Sequence, residues 1–241
     1  MELTVIAHQL RSAENLGAIA RLMANFGFSR LILSDPVTHD FRGANTLAVG
    51  AEPVLEKLAI AHSLEEALTG VVFAVGTTSR EQLKRANPLT PEEGIARLVE
   101  HSARGPVALV LGGEKRGLDD DELAHCQEVI VIPTPGPQPS MNISQAAAVL
   151  LYLCARETAG RALPPAQPEG AKLGTVKALE EKLQAALLQC GFLNPQSPQH
   201  VLRELSRALV RGQLSQREAE IWLSAFEHVR RVTASGGQSG G

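Results

Sequence analysis

Aromatic residues make up only 3% of the 241-residue chain, which holds one tryptophan and three cysteines. That shortage leaves few flat side chains on which unpaired bases could stack, so any nucleic-acid recognition must rest on phosphate and shape contacts. Cys126, Cys154 and Cys190 are odd in number, widely spaced and never arranged as C-x-x-C. Neither a disulfide framework nor a zinc site is signalled. The seven histidines lack H-E-x-x-H or similar ligand spacing, so surface or capping roles are expected and no metal. No apolar run approaches the ~18 residues that cross a bilayer. The opening M-E-L-T-V-I-A-H lacks the basic segment and cleavage site of a secretory signal, which makes the cytoplasm the expected compartment. Also missing are G-x-G-x-x-G after the first strand, the Walker A pattern and the G-x-S-x-G elbow. With them go the main signals for dinucleotide, P-loop and serine-hydrolase chemistry.

What is present is 44% apolar residues, enough to fill a core in one or two domains. Leu3–Ala7, Arg30–Leu33, Val71–Val75, Val107–Leu111 and Glu128–Ile132 read as short strands, several of them β-branched and apolar on both faces, as parallel strands covered by helices should be. Helical patterns alternate with them: Asn15–Phe26 closed by Gly27, the S-L-E-E-A-L and T-P-E-E-G-I-A-R-L-V-E segments, and Ile143–Glu157. N-cap residues, early acids and terminal glycines support these helices. The alternation implies an α/β domain with a largely parallel sheet over residues 1–158. Residues 159–174 are rich in Ala, Gly, Pro and Gln and read as a linker. Thr175–Cys190, Pro198–Val210 and Ser215–Val232 then form a small helical C-terminal domain over 175–232, and the Gly/Ser-rich 233–241 is expected to be disordered.

The formal charge of −3 is unevenly spread, with nine Lys/Arg against six Asp/Glu from Lys172 onward. Arg203, Arg207 and Arg211 recur every four residues, on one helix face within reach of a phosphate backbone. A solvated helix face is the alternative. Arg42, in a loop-like stretch after Pro36, is a further candidate RNA contact or a plain surface residue.

The chemistry-bearing segments are the expected strand-end loops: 76–80, with Gly76, Thr77, Thr78 and Ser79; Gly112-Gly113-Glu114; Ile132-Pro133-Thr134; and Ser140-Met141-Asn142, which leads into an apolar helix. Ligands of open α/β sheets bind at the carboxyl ends of strands, and glycines there let backbone groups approach closely. Each loop taken singly is a common structural turn. Their joint occurrence points to a ligand cradle.

Three motifs occur in order: Asn15-Leu16-Gly17-Ala18-Ile19-Ala20-Arg21, then L-V-L-G-G-E-K-R-G-L ending at Leu118, then I-P-T-P-G-P-Q-P-S-M-N-I-S-Q-A-A-A-V. On these residues the chain resembles the SpoU branch of the SPOUT-class RNA ribose methyltransferases. The helical tail L-E-E-K-L-Q-A-A-L-L-Q-C-G-F-L-N-P is similar to that of tRNA-modifying members, so the likeness covers about residues 1 to 232. The resemblance implies a trefoil-knotted α/β domain with a parallel sheet, a homodimer, S-adenosylmethionine as cofactor, and methyl transfer to a ribose 2′-oxygen of tRNA at nucleotide 32 of the anticodon loop. A ribosomal RNA target, or a non-catalytic RNA-binding dimer of the same fold, are the other readings.

Carried over by position, the cofactor would meet Thr77, Thr78, Ser79, Gly112, Gly113, Glu114, Gly117, Leu118, Ile132, Pro133, Ser140, Met141 and Asn142. Asn15, Arg21, Glu114, Ser140 and Asn142 would serve catalysis, with Arg21 also meeting RNA. Guanidinium loses its proton only above pH ~12, which suits Arg21 to charge stabilisation and orientation, with a phosphate or Ser140 as proton acceptor. Taken alone, Arg21 is also an ordinary exposed arginine on an amphipathic helix. Pro139, just before Ser140, stands where a small polar residue is common in the family and could alter the loop that closes over the cofactor.

Overall fold

The computed structural model describes residues 1–38, 40–79, 87–159, 169–194 and 199–236. It divides into two compact units, Met1–Gln167 and Pro168–Gly241. The first begins with β1 (Leu3–His8), α1 (Ala13–Asn25) and β2 (Arg30–Ser34). A 3-10 turn at Arg42–Thr46 leads into α2 (Glu52–Glu56), β3 (Ala59–Ala61) and α3 (Leu64–Leu68). The unit continues through β4 (Phe73–Thr78), α4 (Pro91–His101), β5 (Val107–Leu111), α5 (Asp120–Leu123), β6 (Glu128–Val131) and α6 (Ile143–Thr158).

The strands form one six-stranded sheet in the order β3-β2-β1-β5-β4-β6. Every pairing is parallel, so all carboxyl ends emerge at the same edge. β1 and β5, at the centre, are buried along their whole length, as strands covered on both faces must be. Helix starts follow their caps. Thr90 and Glu93 form a reciprocal capping box at α4, Ser63 accepts from the Glu66 backbone N–H at α3, and Asn142 accepts from that of Ser144 at α6.

The expected α/β architecture is present, with two local differences, the first of which bears on the site. β4 starts at Phe73 rather than Val71, because the Val71 N–H closes a turn on Leu68 and the Val72 N–H goes to Pro106. It then runs on through Thr77 and Thr78, which pair with Ile130 and Val131 of β6. The threonines expected in a loop are therefore ladder residues. β3, only three residues long with two of them exposed, carried no legible strand pattern.

The second unit holds α7 (Leu173–Gln189), α8 (Gln199–Arg211) and α9 (Gln216–Gly236). Val176, Leu179, Leu183, Ala186 and Ala219 are buried within it. The Ala171 N–H donates to Leu214 and the Gln216 N–H to Glu169, tying the start of α7 to the start of α9. α9 is helical to Gly236, past Val232, where a disordered tail was expected to begin; 237–241 and most of the expected linker lie outside the described residues.

Candidate active site

β4, β5 and β6 end side by side, and the loops that follow enclose a cleft of about 310 Å³, at the small end of the range for ligand sites. Thr77 and Thr78 line it from the end of β4 with Ser79 just beyond, and Gly112, Gly113, Glu114 and Gly117 from the loop after β5. Ile132, Ser140 and Met141 line it from the segment between β6 and α6. The structure thus gathers most of the residues expected to meet the cofactor. It does not bring in three of them. Leu118 is fully buried and packs beneath the cleft toward Gly76, while Pro133 and Asn142 are exposed and do not line it. Residue 80 lies outside the described residues.

The glycines have a steric reason. A Cβ on Gly112 would sit 2.5 Å from the Leu118 backbone nitrogen, and one on Gly76 would come 2.9 Å from a Leu123 methyl. Gly117 adopts φ +66° and donates its N–H to the Gly113 carbonyl at 2.9 Å, folding the loop back on itself. The Thr77 hydroxyl donates to the Val110 carbonyl, so that side chain holds β4 to β5 while its neighbours face the cleft. On the far side, the Thr134 hydroxyl donates to the Pro139 carbonyl and closes the proline-rich turn. Pro139 itself lines the cleft.

At the rim, three of the expected catalytic residues form one chain of hydrogen bonds. Asn142 Nδ2 donates to Asn15 Oδ1 at 3.1 Å, and Asn15 Nδ2 donates to Glu114 Oε1 at 2.7 Å. The Ser12 backbone N–H also donates to Glu114 Oε1. The start of α1, the loop after β5 and the start of α6 are thereby linked through residues as far apart in sequence as Asn15 and Asn142. Each is held by its own element: Ser12 caps α1, and Asn142 caps α6 by accepting from Ser144. Ser140 lines the cleft but takes no part in this chain.

Arg21 is exposed, does not line the cleft and hydrogen-bonds to none of these groups. Its helix explains this. At 3.6 residues per turn, Arg21 lies roughly 120° around α1 from Asn15. It shares the side of Gly17, whose missing Cβ admits the Ala44 carbonyl of the 3-10 turn. Arg42 pairs with Asp40 at 2.6 Å on the surface, and this mutual bonding lowers the Asp40 carboxyl and raises the guanidinium from their ordinary values. The α8 arginines are not equivalent. Arg203 and Arg211 are exposed, whereas Arg207 is half-buried and bound to Glu204 at 2.9 Å.

Residue-by-residue expectation missed Lys115 and Arg116, which both line the cleft. Their position inside G-E-K-R-G is the signal that could have found them. It also missed a polar cluster beneath the loop, formed by His8, Ser34 and Glu122, for which no local pattern exists. Among the described residues no group of three or more His, Cys, Asp or Glu is placed to hold a metal ion, and no helix is long and apolar enough to cross a membrane.

A family model described as the SpoU rRNA methylase family matches residues 2–152. The chain belongs to the SpoU methylase family. This SpoU chain is 32% identical over 230 residues to a tRNA (cytidine/uridine/adenosine-2′-O-)-methyltransferase TrmJ of Pseudomonas aeruginosa, covering 90% of each. It is 33% identical to a tRNA (cytidine/uridine-2′-O-)-methyltransferase TrmJ of Klebsiella pneumoniae, with 86% of this chain and 87% of the relative covered. Among solved structures, the crystal structure of TrmJ from Z. mobilis ZM4 superposes with a TM-score of 0.80 at 24% identity, over 94% of this chain and 98% of that one. The SpoU-family chain therefore has the parallel α/β fold of that structure, followed by helices.

Proposed function

We propose that this SpoU-family protein transfers a methyl group from S-adenosylmethionine to a ribose 2′-hydroxyl of tRNA, at nucleotide 32 of the anticodon loop. One observation carries the substrate. The family model ends at residue 152, yet the likeness to the tRNA 2′-O-methyltransferases covers 90% of the chain and so extends into the helical unit. A ribosomal RNA target would leave that shared extension without a reason.

The cleft fits the cofactor. Backbone groups of Thr77–Ser79 and of the Gly112–Gly117 loop are accessible because three glycines remove side chains there, and Leu111, Ile132, Met141 and Ile143 supply apolar walls. When bound, S-adenosylmethionine supplies an electrophilic methyl carbon on a sulfonium sulfur. The protein's task is then alignment of the hydroxyl, the carbon and the sulfur, and good alignment can contribute ~7–11 kcal/mol. The Asn142–Asn15–Glu114 chain provides a rigid frame at the rim. Glu114 Oε1 is saturated by Asn15 and Ser12, which leaves Oε2 and the Ser140 hydroxyl to receive the ribose hydroxyl.

Arg21 is read as the positive charge that stabilises the developing alkoxide. Its place outside its own chain's cleft favours a homodimer in which a second copy supplies it. Arg203 and Arg211 are the helical unit's contacts to RNA phosphate. A cytoplasmic location accords with an RNA substrate.

The test is transfer of labelled methyl from S-adenosylmethionine to unmodified tRNA and, separately, to ribosomal RNA, followed by nuclease mapping. Label on the ribose of nucleotide 32 supports the proposal. Label only on ribosomal RNA refutes the substrate, and none on either despite cofactor binding favours a non-catalytic RNA-binding dimer. Arg21→Ala should abolish transfer while sparing cofactor affinity; equal loss of both would remove Arg21 from the chemistry.

A further inference from the structure

We infer that Glu122, which lies outside the cleft, is a positioning residue that holds the Gly112–Gly117 loop in its cofactor-binding shape through Arg116. This rests on the reading that the cleft takes S-adenosylmethionine. Within the loop the one backbone bond among the described residues is that from the Gly117 N–H to the Gly113 carbonyl. Gly112, Gly113 and Gly117 have no side chains, and glycine loses more backbone freedom on ordering than any other residue. Gly113 instead packs directly on the end of β1, where a Cβ would meet Gln9 Cβ at 3.2 Å and the His8 carbonyl at 3.3 Å. Within the loop, Arg116 turns from the cleft it lines to an acidic anchor. Its Nη2 donates to Glu122 Oε1 at 2.7 Å and its Nη1 to Asp119 Oδ2 at 2.7 Å. Those bonds raise the guanidinium from its ordinary value.

Glu122 is in turn fixed to the sheet. Its side chain is 15% exposed, and Oε1 lies 2.9 Å from Nε2 of His8, a buried residue whose Nδ1 is 3.1 Å from the Ser34 hydroxyl. Glu122 also accepts the Asp119 backbone N–H at 2.7 Å through Oε2, completing the capping box of α5. Capping a four-residue helix accounts for one bond to Oε2 and none to Oε1. His8 and the shorter Arg116 bond meet at Oε1, Arg116 Nη1 also reaches Oε2 at 3.4 Å, and these bonds run from the ends of β1 and β2 to the cleft wall. A carboxylate with this many donors is a charge-assisted hub.

The decisive experiment is calorimetric titration of S-adenosylmethionine into the full chain and into Glu122→Gln, with steady-state kinetics and thermal unfolding beside it. We expect Kd to rise by about ten- to a hundredfold, the size of a lost charged hydrogen bond, with kcat at saturating cofactor held within about twofold. Glu100→Gln, an exposed acid of α4 paired with Arg97, should leave Kd unchanged. Arg116→Met, at a half-exposed side chain, keeps the inference testable should the first variant fold poorly. It should weaken binding by a similar factor, and the double variant should be no weaker than either single one. A lower Tm with unchanged Kd in Glu122→Gln, or full additivity of the two variants, would overturn the brace alone. Absence of binding by the unaltered protein would overturn the cofactor reading and the brace with it.

Discussion

Gly17→Ala sets two known effects against each other. Gly17 is the glycine of N-x-G-x-x-x-R and lies buried within α1, where a Cβ would sit 2.1 Å from the Ala44 carbonyl oxygen and 3.2 Å from Leu47 Cβ. Carbon–oxygen contacts need roughly 3.3 Å or more, so the 3-10 turn at Arg42–Thr46 must retreat by about 1 Å. Helix propensity alone would make alanine better by about 1 kcal/mol. Overpacking costs about 1–3 kcal/mol, and the upper end applies because the obstacle is backbone. Ala44 is 3% exposed, donates its N–H to Phe41 and accepts from Ala48. We expect a net loss of about 1–2 kcal/mol on these two magnitudes. Urea unfolding followed by hydrogen exchange in α1 measures it; tryptophan fluorescence would not, since the single tryptophan, Trp222, belongs to α9 in the other unit. Gly43→Ala is the control on the same turn. Its Cβ would make an ordinary 3.5 Å contact with Ala13 and should change stability by less than about 0.5 kcal/mol. A Gly17→Ala protein more stable than the original would show that propensity wins and that the turn yields freely.

Asn15→Ala should cut kcat for methyl transfer by about ten- to a hundredfold, because it removes the link between Glu114 and Asn142; an unchanged kcat would reduce the chain of hydrogen bonds to scaffolding. Cys126 and Cys154 are buried, and burial pushes both thiols up to about 12. A thiol reagent at pH 8 should therefore label Cys190 alone in the folded protein, and rapid labelling of either buried cysteine would contradict the packing around it. Hydrogen bonds from Lys182 and Arg230 hold the Glu227 carboxyl down at about 2. A depressed carboxylate stabilises the folded state above its ordinary value of 4.5, and the contribution fades as pH falls through that value toward 2. Circular dichroism against pH should show Glu227→Gln flattening the acid limb of α7 and α9, whereas an unshifted limb would deny the pair any weight. Arg203→Ala should lower the salt dependence of tRNA binding by about one unit of slope. Arg207→Ala should instead loosen α8, since Arg207 is bound to Glu204 and half-buried.

The parts of the fold that depend on neighbouring residues were legible. β5 was readable from V-A-L-V-L because an all-apolar, β-branched run needs cover on both faces, and α4 from T-P-E-E because cap, proline and acids all satisfy the same helix end. The extension of β4 into Thr77 and Thr78 was not, because their strand character comes from pairing with β6 some fifty residues later. Most residues of the cleft were legible too, because they follow strand ends in glycine-bearing loops or sit in the three ordered motifs. Glu122 and His8 belong to no motif, and their separation of 114 positions leaves no periodicity to read.

The sequence by itself determined the class of fold, the glycine loops and the family, since strand alternation, caps and motif spacing are local and survive in one dimension. Tertiary structure decided which residues act together. It joined Asn15, Glu114 and Asn142 into one rim, tied the glycine loop through Arg116 to the part-buried Glu122 and drew Arg207 half inside. The reason is directional. Spacing along a helix or strand fixes the face a side chain occupies, but what stands opposite that face is settled only when a parallel sheet brings its distant strand ends to one edge.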